Sequence, residues 1–344
     1  MRAGSPRAGA GGAVLIEGTL TLLDGLPLRM GGQITPCRIS WRLLGPEEAP
    51  VVAVMGGISA DRRVCAAPGS EEAEGWWEGV AGMAAALDPQ RWRILSFDFL
   101  AGPGSSSAPA APASGVIPSL TPADQGDALR AVADHLELPR LHAVLGASYG
   151  GAVALAFAAD HAERTESALV IGAAHRSHPM ATALRVVQRR IVVDALARGT
   201  DREGLALARA LAMTTYRSHE EFERRFAGEP RIGPDRLRFP VEDYLDHHGR
   251  IFAERFDALG FLCLSLSMDL QDVDPARVRA PVTLVAMEPD AIAPLWQVRE
   301  LYERLGPGHT LVEVNTTAGH DGFLTDVETF RRVLGRFLRG AAER

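Results

Sequence analysis

Five residues, Gly146-Ala147-Ser148-Tyr149-Gly150, carry the first chemical signal in this chain. A serine flanked by glycines at i−2 and i+2 is the pattern of a nucleophile held on a sharp strand-to-helix turn. The glycines let strand and helix approach closely, and the helix N-terminus behind the serine oxygen favours negative charge there. The flanks agree. Leu141 to Leu145 reads as a short buried strand, and Ala152 to Ala159 as an apolar, alanine-rich helix.

A serine hydroxyl becomes nucleophilic beside a base, and the base works when an acid orients it. In a chain of this kind the order is serine, then acid, then histidine. His320, in Gly319-His320-Asp321-Gly322, follows the last strand-like segment and is the expected base. Asp290, in Glu288-Pro289-Asp290, follows the preceding one and is the expected acid, with Glu288 nearby as the competing carboxylate. The oxyanion of an acyl transfer needs backbone N–H donors. Tyr149, directly after the nucleophile, supplies one, and Ile58, in the glycine turn after the first core strand, is the candidate for the other.

These residues need a framework. The 344 residues are 47 % hydrophobic and 23 % charged with a net charge of −7, the profile of a globular chain with no electrostatic pull toward nucleic acid. Residues 1–13 read as a disordered tail. Leu15 to Leu23 and Ile34 to Leu43 alternate as an antiparallel edge hairpin. Val51 to Met55, Trp92 to Asp98, Ala168 to Gly172, Val282 to Met287 and Thr310 to Val314 read as buried strands. Gly75 to Leu87 reads as a helix or a loop plus helix, and Leu100 to Pro118 as a long loop. Thr121 caps a helix running to about Leu136. Between His175 and Asp272 strand signals nearly vanish and long helical segments take over. The fold class is therefore α/β, a mostly parallel sheet with helices on both faces. The core spans residues 14–174 and 273–344, and a helical cap is inserted at 175–272. No run reaches the roughly 18 apolar residues that a membrane span needs. Cys37, Cys65 and Cys263 are too few and too scattered for a disulfide framework, which points to a reduced, cytoplasmic setting. No metal-ligand spacing is present.

With these motifs in place, the chain resembles the homoserine O-acyltransferase (MetX-like) family of the α/β-hydrolase fold. The resemblance runs from about Val51 to Leu324. It rests on Gly75-Trp76-Trp77, Gly146-Ala147-Ser148-Tyr149-Gly150-Gly151, Thr215-Tyr216-Arg217-Ser218, Val241-Glu242-Asp243-Tyr244-Leu245, Ser267-Met268-Asp269-Leu270 and Gly319-His320-Asp321-Gly322-Phe323-Leu324. The resemblance implies Ser148, Asp290 and His320 as a triad and a ping-pong reaction. An acyl group passes from acyl-CoA to Ser148 and then to the hydroxyl of L-homoserine, in methionine biosynthesis, with no cofactor beyond the CoA co-substrate. It implies Arg217 for the acceptor's carboxylate and Asp321 for its ammonium, and a homodimer. Gly56-Gly57-Ile58-Ser59-Ala60-Asp61-Arg62 is similar to a subgroup associated with succinyl transfer. A succinyl carboxylate calls for a cation, and Arg62, Arg63 and Arg176 are the candidates. Acetyl transfer, serine as acceptor, an esterase or thioesterase, and a non-catalytic binding protein are the competing readings.

Overall fold

The computed structural model describes residues 7–8, 12–109, 119–233 and 236–342. Eight strands form the frame: β1 (Val14–Leu22), β2 (Cys37–Gly45), β3 (Val51–Met55), β4 (Arg93–Phe97), β5 (Ala143–Ala147), β6 (Ala168–Ile171), β7 (Val282–Glu288) and β8 (Thr310–Asn315). Their order across the sheet is β1-β2-β4-β3-β5-β6-β7-β8, with the two-residue strand Arg7–Ala8 outside β1. β1 runs antiparallel to β2 and β2 antiparallel to β4; every neighbouring pair from β4 to β8 is parallel.

The parallel strands read as unbroken apolar runs because both faces of the sheet are covered. In β3, Val51, Ala53 and Met55 join the core on one face, and Val52 and Val54 join the core on the other. β5, β6 and β7 alternate in the same way. On the first face lie α1 (Pro122–His135) and α2 (Tyr149–Asp160); on the second lies the terminal helix Val327–Ala342. α1 starts at a reciprocal cap. Thr121 Oγ1 accepts from the Asp124 amide at 3.2 Å, and Asp124 Oδ2 accepts from the Thr121 amide at 2.7 Å. Every residue of α2 from Tyr149 to Ala159 is buried, so this helix is apolar all round rather than amphipathic.

Between β6 and β7 the chain leaves the sheet and forms α3 (Pro179–Arg198), α4 (Asp201–Tyr216), α5 (His219–Phe226), α6 (Pro240–Arg255) and α7 (Ala258–Asp269). The excursion opens and closes at one place: the backbones of Arg176 and Asp272 form an isolated antiparallel β-bridge, and the Val273 amide donates to the His175 carbonyl at 2.9 Å. α4 packs between α3 and α6 and also touches the Gly319–Asp321 turn. This contact joins the helical layer to the C-terminal edge of the sheet.

Two expectations need correction. Gly75 to Leu87 holds no helix; it is a series of turns with isolated bridges between Glu78, Ala81 and Leu87. Gly79 and Gly82 sit at φ +93° and +129°, outside helical space, and the Trp77 indole N–H is drawn 2.9 Å to the Phe323 carbonyl. The expected tail 1–13 lies mostly outside the described residues, but Arg7–Ala8 pairs with Val14–Leu15 and Ala13 is buried. The stretch 110–118 of the expected long loop also lies outside them. The three cysteines are buried and form no disulfide among the described residues, and burial pushes the Cys65 and Cys263 thiols up to about 12.

Candidate active site

The site is assembled at the C-terminal ends of β3, β5, β7 and β8. Ser148 follows β5 at φ +56°, ψ −117°, a strained conformation for a residue with a Cβ. The turn is possible because neither Gly146 nor Gly150 carries a side chain. A Cβ on Gly146 would overlap the Gly150 carbonyl, and one on Gly150 would overlap the Met55 and Gly56 carbonyls. The Ser148 amide donates to the Ile171 carbonyl at 2.8 Å, which locks the turn onto β6.

His320 lies after β8, and its Nε2 is 2.8 Å from Ser148 Oγ. Its Nδ1 is 2.7 Å from Asp290 Oδ2. Asp290 follows β7, and its Oδ1 accepts from the Ile292 and Ala293 amides at 2.7 and 3.0 Å. The carboxylate is therefore fixed on both oxygens, with Nδ1–H donating to it and Nε2 left to accept from the serine hydroxyl. Glu288, the competing carboxylate, is exposed at the end of β7 and reaches neither. His320 is buried. Burial disfavours its cation, but the Asp290 charge and hydrogen bond, with Asp321 adding to them, raise its pKa above the ordinary value.

The oxyanion candidates flank the serine. Ile58 lines the same cavity as Ser148, and the Gly150 amide donates to the Gly56 carbonyl at 2.9 Å, tying that loop to the turn. Tyr149 opens α2, so its N–H has no acceptor within the helix. Its side chain has a separate task. The Tyr149 hydroxyl lies 2.7 Å from Ser267 Oγ of α7, fully buried, and the ring meets Phe99 edge-on at 5.0 Å. Tyr149→Phe is expected to cost about 1 kcal/mol, the net worth of a neutral buried hydrogen bond. A urea midpoint equal to that of the parent protein would show that this contact between α2 and α7 contributes nothing.

Two cavities meet at Ser148. One, of about 200 Å³, is lined by Gly57, Ile58, Trp76, Arg209, His320 and Asp321, among others. The second, of about 40 Å³, is lined by Ala152, Ala174, Arg176, Ser177, Arg185 and Gln271, among others. His320 lines the larger one and not the smaller.

The arginines sort differently from the sequence expectation. Arg62 is committed to Asp98 at 2.6 Å and Glu17 at 3.3 Å, and neither it nor Arg63 lines either cavity. Arg176 does line the smaller cavity, paired with Glu300 at 3.2 Å. Arg185, passed over in the sequence, lines it too. Arg185 is buried, 2.7 Å from Asp269, and Arg189 approaches the same carboxylate at 2.7 Å. Two cations on one anion leave a net positive charge at that end. The signal available in sequence was Asp269 itself, in the Ser267-Met268-Asp269-Leu270 stretch, an acid that needs a basic partner. Asp321 lines the larger cavity, and Arg217 stands 3.2 Å away from it. Burial pushes the Asp321 carboxyl up, while Arg217, His320 and Arg209 pull it back.

Among the described residues, no group of three His, Cys, Asp or Glu side chains is placed to hold a metal ion, and no helix is long and apolar enough to cross a membrane.

The family model for the alpha/beta hydrolase fold matches residues 65–327. The chain is 40 % identical to the homoserine O-succinyltransferase of Xanthomonas campestris pv. campestris, over 98 % of this chain and 88 % of that protein. It is 31 % identical to the serine O-succinyltransferase of Frateuria aurantia, over 91 % and 96 % of the two chains. The crystal structure of a homoserine O-acetyltransferase from Bacillus anthracis superposes with a TM-score of 0.83 at 17 % identity, covering 94 % of this chain and 97 % of that one. A fold shared with that structure, and sequence similarity along almost the whole chain to the Xanthomonas protein, lead to one conclusion: the chain belongs to the homoserine O-acyltransferase family of the α/β-hydrolase fold.

Proposed function

We propose that the protein transfers a succinyl group from succinyl-CoA to the side-chain hydroxyl of L-homoserine through an acyl-Ser148 intermediate. The observation that carries this reading is the meeting of two unlike cavities at Ser148, one ending in Arg176 and Arg185 and the other containing His320 and Asp321. In the first half-reaction His320 Nε2 takes the Ser148 proton as Oγ attacks the thioester carbonyl. The oxyanion rests on the N–H groups of Tyr149 and Ile58. The thiolate leaves with the proton returned by His320. In the second half, the homoserine hydroxyl gives its proton to His320 and attacks the acyl-serine. The ester leaves and Ser148 regains its proton. Asp321 receives the acceptor's ammonium, and Arg217 holds Asp321 and adds positive charge for the carboxylate.

Water competes for every acyl-serine, so transfer depends on holding the acceptor. Positioning supplies effective molarities of about 10⁵–10⁸ M. The succinyl carboxylate is assigned to the cavity lined by Arg176 and Arg185. Arg185→Leu is expected to lower kcat/KM for succinyl-CoA by about 10- to 100-fold relative to acetyl-CoA in the same variant. An unchanged ratio of the two donors would remove Arg185 from acyl recognition.

The deciding assay follows thiol release from succinyl-CoA and from acetyl-CoA, each with homoserine, with serine and with water alone. Transfer from acetyl-CoA in preference to succinyl-CoA would make the protein an acetyltransferase. Thiol release that ignores both amino acids would make it a thioesterase. Serine is one methylene shorter than homoserine, a difference of only about 1–3 kcal/mol in a pocket, so the acceptor is settled by this assay and not by shape. The reaction needs no cofactor, the setting is cytoplasmic, and the protein acts as a homodimer. Exposed Val187, Val193, Leu207 and Ile251 on the cap helices support that assembly, which light scattering of the purified protein tests.

A further inference from the structure

The smaller cavity stops at Gln271, and a third cavity, of about 230 Å³, begins on the other side of it. Among the described residues Gln271 is the one residue that lines both. Helix α2 forms their common floor. Ala152 faces the smaller cavity, and Ala156 and Ala159 face the third, at positions i, i+4 and i+7 of one helix face. The Gln271 side-chain amide donates to the carbonyl of Ala174, itself part of the smaller cavity's wall. The backbone bridge between Arg176 and Asp272 follows one residue later. Side chain and backbone are therefore both pinned where the two cavities adjoin.

The sizes suit a partition. A space of about 40 Å³ holds about three water-sized groups. Beyond its carbonyl, a succinyl group has two methylenes and a carboxylate, and a longer chain meets Gln271. Past that residue the walls are mainly apolar, with Pro122, Ala156, Ala159, Leu270 and Val273 among them. The two arginines there, Arg29 and Arg277, both pair with Asp160, at 3.1 and 2.7 Å, and Asp272 adds a negative charge. That chamber suits an uncharged chain and not a second anion.

We propose that Gln271 limits the length of the acyl group, and that the third cavity is a closed-off extension of the acyl site that fits a straight, uncharged acyl chain once Gln271 is shortened. This rests on the reading that the acyl group lies in the smaller cavity. The chemistry of the step is unchanged: the thioester C–S bond breaks, the ester to Ser148 Oγ forms, and His320 passes the serine proton to the departing thiolate.

The test uses the full-length protein with succinyl-CoA, butyryl-CoA and hexanoyl-CoA as donors, following thiol release with homoserine present and the mass added to the protein. Butyryl matches succinyl in length. Butyryl and hexanoyl both lack the second carboxylate, so their ratio reads length alone. The parent protein should favour butyryl-CoA strongly. Gln271→Ala is expected to raise the hexanoyl-to-butyryl ratio of kcat/KM by about 10-fold, the worth of two further buried methylenes. Gln271→Leu keeps the bulk without the amide and should hold the parent's ratio. Adding Ala156→Leu to Gln271→Ala refills the third cavity from its floor and should take the gain away. The assignment is overturned by a parent protein that accepts hexanoyl-CoA as readily as butyryl-CoA, by an unchanged ratio in Gln271→Ala, or by a gain that survives Ala156→Leu. Failure of both Gln271 variants to fold would also overturn it, making Gln271 a packing residue. The underlying reading fails separately and visibly: the parent protein gains no mass from succinyl-CoA, or Arg185→Leu leaves its preference between succinyl-CoA and acetyl-CoA unchanged.

Discussion

Alanine at position 148 will lower acyl transfer by about 10⁴–10⁶-fold, the largest effect expected of any single change in this protein. In the proposed reaction both half-reactions pass through Ser148 Oγ, which lies 2.8 Å from His320 Nε2, and no other hydroxyl stands in that position among the hydrogen bonds of the described residues. Ser148→Ala keeps the Cβ, so the turn at φ +56° is no more and no less strained than before, and the fold should survive. The residual rate comes from the oxyanion donors and from positioning, which the substitution leaves in place. Two measurements check this together. The parent protein mixed with succinyl-CoA should gain the mass of one succinyl group, lost again on adding homoserine, and the variant should show no adduct. An adduct that persists in Ser148→Ala would place the nucleophile elsewhere.

The second large effect belongs to Asp290→Asn, at about 10³–10⁴-fold in kcat. Asp290 accepts Nδ1–H of His320 at 2.7 Å, which leaves Nε2 free to accept the serine proton. Asparagine can present an N–H there, favouring the opposite tautomer and turning the base away from its task. The pH dependence gives an independent readout. His320 works as a base only when neutral, so activity falls as pH drops through its pKa. Burial lowers that pKa, and Asp290 more than offsets it, so the acid limb of the parent protein should have its midpoint above the ordinary histidine value. Removing the Asp290 charge takes away the largest of the influences that raise the pKa, leaving Asp321 against burial. The limb of Asp290→Asn should therefore move to lower pH even as the rate collapses. Glu288→Gln is the control, since Glu288 is exposed at the end of β7. A large loss in that variant, or a limb that does not move in Asp290→Asn, would reassign the acid.

How much of this was legible beforehand follows from the range of the interactions. Ser148 could be read because its conformation is a local matter: Gly146 and Gly150 are the residues that must lack a Cβ, and they lie two positions away. Asp290 and His320 could be read because parallel strands deliver their following loops to one edge, whatever the sheet's details. The strands themselves were visible as apolar runs, since both faces of each are covered. The stretch Gly75 to Leu87 reads as partly helical because its apolar residues suit either form. What excludes a helix is backbone at positive φ and an indole bonded to Phe323, far along the chain.

The order of the elements, the Ser148 turn, and the loops that carry Asp290 and His320 to it were determined by the sequence alone, through short-range sterics and the geometry of parallel strands. Only the tertiary structure decided which arginines line the cavities at Ser148. Arg62 and Arg185 are the same residue type with no local feature to separate them. Arg62 is consumed by Asp98 and Arg185 is shared with Arg189 on Asp269, partners 36 and 84 positions away. Among the described residues Arg209 has no carboxylate partner, because the helical layer sets it over two rings instead of an acid. A charge becomes available for binding when folding leaves it unpaired, and pairing depends on contacts distant in sequence.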